Sequence, residues 1–81
     1  MIVRVKLFAV AKEIAGSDEI AVEVREGATV GDVRNAMVAA VPELEGVLGH
    51  AMIAVDAEYA NDNVVVDQTS EIALIPPVSG G

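Results

Sequence analysis

The residues best suited to chemistry stand at the far end of the sequence, in "IPPVSGG", Ile75 to Gly81. Gly80 and Gly81 lack a Cβ, so they pass through a channel that excludes any other residue. Val78 and Ser79 ahead of them are small. Pro76 and Pro77 fix φ and favour extended backbone, so they end the last strand and aim the terminal residues away from the sheet. Six extended residues reach at most about 20 Å. That exceeds the radius of gyration of a domain this size, about 12 Å, so the tail can place a carboxylate deep inside another protein. The carboxylate is ionised at neutral pH, with an ordinary pKa of about 3.3–3.7, and is a poor electrophile. It must first be activated, for example as an acyl-adenylate, and nothing crowds the carbonyl of Gly81. Gly-Gly alone would also fit a frayed terminus. The prolines in front of it favour a function.

The elements that must carry this tail form one small α+β domain over residues 1–81, with a flexible segment at 76–81. "MIVRVKLF" alternates: Val3, Val5 and Leu7 share one face, and Arg4, Lys6 and Phe8 the other. "AVAKEIAG" is a short helical turn ending at Gly16. In "SDEIAVEVREG", Ile20, Val22 and Val24 point inward. "TVGDVRNAMVAAVP" is the one main helix, with Thr29 as N-cap, Asp32 at the capping-box position and Val30, Val33, Met37 and Val41 on the helical period. Pro42 stops it. "ELEGVLGH" reads as loop or a short turn, "AMIAV" as a short apolar strand, "DAEYANDN" as turn-rich, and "VVVD" as a marginal strand. "EIALI" is the last strand, with Ile72 and Leu74 on one face and Ala73 and Ile75 on the other. An opening hairpin with a single helix fits a β-grasp: a mixed sheet of four to five strands, the first and last paired in parallel at its centre.

Composition removes several functions. With no cysteine among 81 residues there is no disulfide, thiolate metal site or cysteine nucleophile, and one histidine, His50, cannot build a multi-histidine centre. Aromatics are 2% of a chain that is 53% hydrophobic, so the core is aliphatic. No apolar run approaches the ~18 residues of a membrane span, and the start of the chain does not read as a signal peptide; the cytoplasm is the expected location. A net charge of −8 disfavours nucleic acid and anionic membranes as partners. All five cations fall in residues 1–34, and seven of the thirteen acids fall in residues 35–81. Asn61, Asp62 and Asn63 are too closely spaced for a calcium loop and form a polar turn.

Phe8 and Tyr59 are the two aromatics. Alternation puts Phe8 on the outward face of the first strand and Ile75 on that of the last. If those strands are neighbours, the two share a surface that Tyr59 can join, and such a patch suggests a protein interface. Phe8 alone could equally cap the core from a strand end.

Taken together, these stretches resemble a known family, the small sulfur-carrier subunits of molybdopterin synthase, which are ubiquitin-like proteins. "KLFAVAKEIAG", "TVGDVRNAM" with "VPEL", "AVDAEYA" and, most specifically, "EIALIPPVSGG" carry the resemblance along the whole chain. "QTSE", Gln68 to Glu71, departs from the Gly-Asp-Glu frequent in that turn. The resemblance implies a non-catalytic subunit that is a protein co-substrate and binds no cofactor itself. An adenylating enzyme would use ATP to convert Gly81 to a glycyl-adenylate, and a sulfur-donor enzyme would turn it into a thiocarboxylate (1-thioglycine). The tail, Pro76, Pro77, Val78, Ser79 and Gly80, would enter the large catalytic subunit and deliver sulfur to precursor Z, within a heterotetramer. Phe8, Tyr59 and Ile75 would dock on that subunit, and Lys12 would pair with it. A sulfur carrier for thiamine or another metabolite, a ubiquitin-like modifier joined to lysines through Gly81, and a plain interaction domain are the alternatives.

Overall fold

A computed structural model describes residues 1–77. Its elements run β1 (Ile2–Leu7), α1 (Ala9–Ala15), β2 (Glu19–Glu23), α2 (Val30–Ala40), a 3₁₀ turn (Pro42–Leu44), α3 (Glu45–Leu48), β3 (Met52–Val55), β4 (Glu58–Ala60) and β5 (Ile72–Ile75). The strands form one mixed sheet in the order β2-β1-β5-β3-β4. β1 pairs antiparallel with β2 and parallel with β5, and β5 pairs antiparallel with β3. The first and last strands therefore lie side by side within the sheet, as alternation and topology anticipate.

One face of the sheet is sealed. Val3, Val5 and Leu7 of β1, Val22 of β2, Ile53 of β3 and Ile72 and Leu74 of β5 are buried against Val30, Val33 and Met37 of α2. Each such side chain contributes about 1.5–3 kcal/mol by leaving water. The alternation in β1 is strict, so its odd residues are buried and its even ones exposed. Helix α2 starts in a complete capping box: the Thr29 N–H donates to Asp32 Oδ2 at 2.9 Å, and the Asp32 N–H donates to Thr29 Oγ1 at 3.3 Å. The backbone and hydroxyl of Thr29, with the Arg25 guanidinium, hold the Asp32 carboxyl below its ordinary pKa.

Three stretches differ from the sequence reading. The segment after Pro42, expected as loop or a short turn, is a short turn that continues into a helix. Proline is compatible with the first helical position, where its missing N–H is not needed, so Pro42 opens a 3₁₀ turn that runs into α3, and Leu44 and Leu48 enter the core. Residues Glu58–Ala60 are strand rather than turn. "VVVD" is not a strand beyond a single bridge between Thr29 and Val65. Its backbone is used elsewhere: the N–H groups of Val30 and Gly31 donate to the carbonyls of Val64 (2.9 Å) and Asp62 (3.0 Å). Two of the free donors of α2's first turn are satisfied by this loop, and the capping box serves the others. A Cβ on Gly31 would sit 3.3 Å from the Asp62 Cβ, so the close approach favours glycine there.

Arg34 secures the same corner. Its Nε donates to Asp62 Oδ1 at 2.8 Å, and its two terminal nitrogens donate to the carbonyls of Leu48 (2.8 Å) and Ala51 (3.1 Å). One planar fork thus joins α2, the end of α3 and the loop before "VVVD".

Candidate functional site

The open face of the sheet is built by pairing register. Lys6 stands beside Ala73, Ala73 beside Ala54, and Ala54 beside Tyr59. Glu19 of β2 completes the row on the other side of Lys6. Two adjacent alanines at the middle of this row leave a concavity of about 400 Å³ over β5 and β3, walled by Phe8, Tyr59, Ile75 and Glu71. A second apolar row lies alongside: Met52 is paired with Ile75, and Phe8 comes directly after the β1 residue paired with Leu74. Phe8, Met52 and Tyr59 are 48%, 49% and 66% exposed, so a connected set of large apolar side chains faces solvent.

Local backbone sets Phe8 in place. It leaves β1 in extended conformation, with φ −130° and ψ 156°, and caps α1 with no side-chain hydrogen bond. Ala9 comes next at φ 52°, in the left-handed region that disfavours a side chain by about 1–2 kcal/mol. The chain turns sharply there, so α1 leaves the line of the strand while the ring stays outside. Gly16 at φ 76° ends α1, its N–H donating to the Lys12 carbonyl at 2.9 Å. Lys12 therefore sits one helical turn beyond Phe8, and the two line a second concavity of about 440 Å³ together with Lys6, Asp18 and Glu19.

The structure thus brings Phe8, Tyr59 and Ile75 to one concavity and puts Lys12 in the next. Pro76 is buried and Pro77 exposed, immediately beyond the last residue of β5. Val78, Ser79, Gly80 and Gly81 lie outside the described residues. Sequence reasoning misses Met52 and Lys6 as site residues. The parity of "AMIAV", with Ile53 inward, is the available signal for Met52. For Lys6 the local signal is its place on the same face as Phe8, but what its neighbours are paired with comes only from strand order. Among the described residues no three metal-ligating side chains cluster, and no helix is long and apolar enough to cross a membrane.

A five-stranded mixed sheet, parallel between its first and last strands and clasping one main helix, defines a ubiquitin-like β-grasp protein. Its open apolar face adjoins the strand that leads into Gly-Gly. The chain belongs to the ThiS family, which it matches over residues 5–81. It is 34% identical to the molybdopterin synthase sulfur carrier subunit of Arabidopsis thaliana, over 98% of this chain and 82% of that one. It superposes on the crystal structure of SAMP1 from Haloferax volcanii with a TM-score of 0.89 at 37% identity, covering 100% of both chains. A complex of subunits 1 and 2 of molybdopterin-converting factor from Helicobacter pylori contains a chain matching this one with a TM-score of 0.70 at 26% identity, again covering 100% of both.

Proposed function

We propose that this chain is the sulfur-carrier subunit of molybdopterin synthase, acting in the cytoplasm as a protein co-substrate. The observation that carries the reading is positional. β5 runs along the apolar face at Ile75 and hands the chain directly to "PPVSGG". A partner that covers Phe8, Met52 and Tyr59 is therefore positioned to receive the tail. The apolar face supplies affinity, and the tail supplies the reacting group.

The chemistry assigned to Gly81 balances in three steps. Its carboxylate oxygen attacks the α-phosphate of ATP on an adenylating enzyme, giving glycyl-adenylate and pyrophosphate. Hydrosulfide released by a sulfur-donor enzyme adds to the acyl carbon, AMP leaves and the thiol proton is lost, which yields the thiocarboxylate. The thiocarboxylate then transfers sulfur to precursor Z in the large catalytic subunit, and water restores the carboxylate. With no cysteine in the chain, the transferable sulfur rides on Gly81, and Gly80 provides clearance around it. Two carriers and two large subunits form the working heterotetramer.

Similarity to small archaeal modifier protein 1 of Haloferax volcanii, 42% identical over 94% of this chain, favours a second reading. In it the same adenylate passes to a lysine amine. Intact mass separates the two. The untagged protein is incubated with ATP, its cognate adenylating enzyme and a sulfur source, then with precursor Z and the large subunit. Oxygen replaced by sulfur, reversed as molybdopterin forms, is the expected result. Adducts through an isopeptide bond with no thiocarboxylate would move the modifier reading to the front.

A further inference from the structure

The cations of this chain are divided by type. All three arginines are in ion pairs: Arg4 with Glu19 at 3.1 Å, Arg25 with Asp32 at 3.0 Å, and Arg34 with Asp62 at 2.8 Å. Neither lysine forms an ion pair among the described residues, and both are exposed. Lys6 has a carboxylate beside it in register, since Glu19 is its cross-strand neighbour, but that carboxylate is taken by Arg4. On its other side stands Ala73. Lys6 also borders both concavities that Phe8 lines. In a chain of net charge −8, a cation with no ion-pair partner among the described residues is thus held on the apolar face, beside its aromatic Phe8.

We propose that Lys6 is a specificity-determining residue of the docking face, and that the protein seated there presents a carboxylate to it. This rests on the docking reading above and deepens it. An ammonium at the centre of an interface must find an acceptor when water is expelled. Among the described residues no acid is in ion-pair contact with it: Glu19 is engaged by Arg4, and Asp18 and Glu71, which line the same concavities, stand more than 4 Å from its ammonium. A partner carboxylate, repelled by the net-negative remainder of this protein, would find its attraction at the Lys6 ammonium, so Lys6 also orients the encounter. Lys12 and Lys6 both line the concavity beside Phe8, together with Asp18 and Glu19.

The test measures association of the full chain with the cognate large subunit by stopped flow at low and high salt. Lys6→Met keeps the apolar stem and removes the charge. It is expected to slow association about 5-fold at ~50 mM salt, and the difference is expected to fade near ~0.5 M as screening shortens the Debye length. Glu19→Gln removes the neighbouring carboxylate and should change the rate in the opposite direction. Lys6→Met associating as fast as the unaltered chain, while Phe8→Ala weakens the complex, overturns the role of Lys6 and leaves the docking face standing. Phe8→Ala and Lys6→Met both without effect would remove the docking reading itself, and this proposal with it.

Discussion

Arg34 and Asp62 meet at 2.8 Å across 28 residues of chain, and the same guanidinium holds the carbonyls of Leu48 and Ala51. The Arg34 side chain is only 23% exposed, so the two carbonyls it serves are partly screened from water. Arg34→Met should lower stability by about 2 kcal/mol, because partly buried acceptors are left unsatisfied. Arg34→Lys should recover less than half of that, since one ammonium cannot reproduce the fork. Urea unfolding midpoints at constant slope decide it.

The start of α2 gives a pH signature. Asp32 is held below its ordinary pKa of 3.8, chiefly by the Thr29 backbone N–H, with Arg25 and the Thr29 hydroxyl adding to it against some desolvation. A depressed carboxyl contributes stability that is fully present above its unfolded value and lost as pH falls through its folded value. Asp32→Asn should therefore flatten the fall in stability below about pH 4 and leave its shape at neutral pH unchanged. Thr29→Ala removes the cap and should cost about 1 kcal/mol at neutral pH. Thermal unfolding across an acid series reads both.

Ala57 occupies the β3–β4 turn at φ 70°, next to Asp56 at φ 52°. Two successive positive φ values are the geometry of a tight hairpin turn that prefers Asp-Gly. Ala57→Gly should raise stability by about 0.5–1 kcal/mol, the relief of left-handed strain less the added freedom of the unfolded chain. A lower unfolding midpoint would contradict this account of the turn.

Phe8 is 48% exposed and, among the described residues, belongs to no buried cluster. Phe8→Ala should change unfolding free energy by less than about 1 kcal/mol while weakening large-subunit binding about 10- to 100-fold, as loss of an aromatic anchor does. A calorimetric titration beside a thermal melt shows which property suffers more. Equal affinity would argue that the ring serves the core.

One residue added after Gly81 should abolish sulfur transfer and leave the thermal midpoint unchanged, because the reacting carboxylate is displaced and the fold is not touched. Full activity of the extended chain, with mass spectrometry showing that the added residue is still attached, would refute the role of Gly81.

Much of the fold is legible in the sequence because its signals are local. Alternation in β1 and β5 predicts which side chains enter the core, and Val3, Val5, Leu7, Ile72 and Leu74 are buried accordingly. The Thr29–Asp32 spacing predicts the cap that α2 has. The departures come from residues whose partners are distant. Three valines in a row suggest a strand, yet Asp62 and Val64 lend their carbonyls to α2. Pro42 does end α2, as its position predicts, but it also opens the turn that carries Leu44 inward.

By itself the sequence determined the main elements β1, α1, β2, α2, β3 and β5 and the inward faces of β1, β2, α2 and β5, since periodicity and capping depend on a few neighbouring residues, and it raised the expectation placed on "PPVSGG". Only the tertiary structure decided that Lys6, Ala73, Ala54 and Tyr59 form one row, that Met52 is set beside Ile75, and that Arg4 takes the carboxylate beside Lys6. Those relations come from strand order and register, which are selected by how the whole core packs and are written in no single stretch of chain.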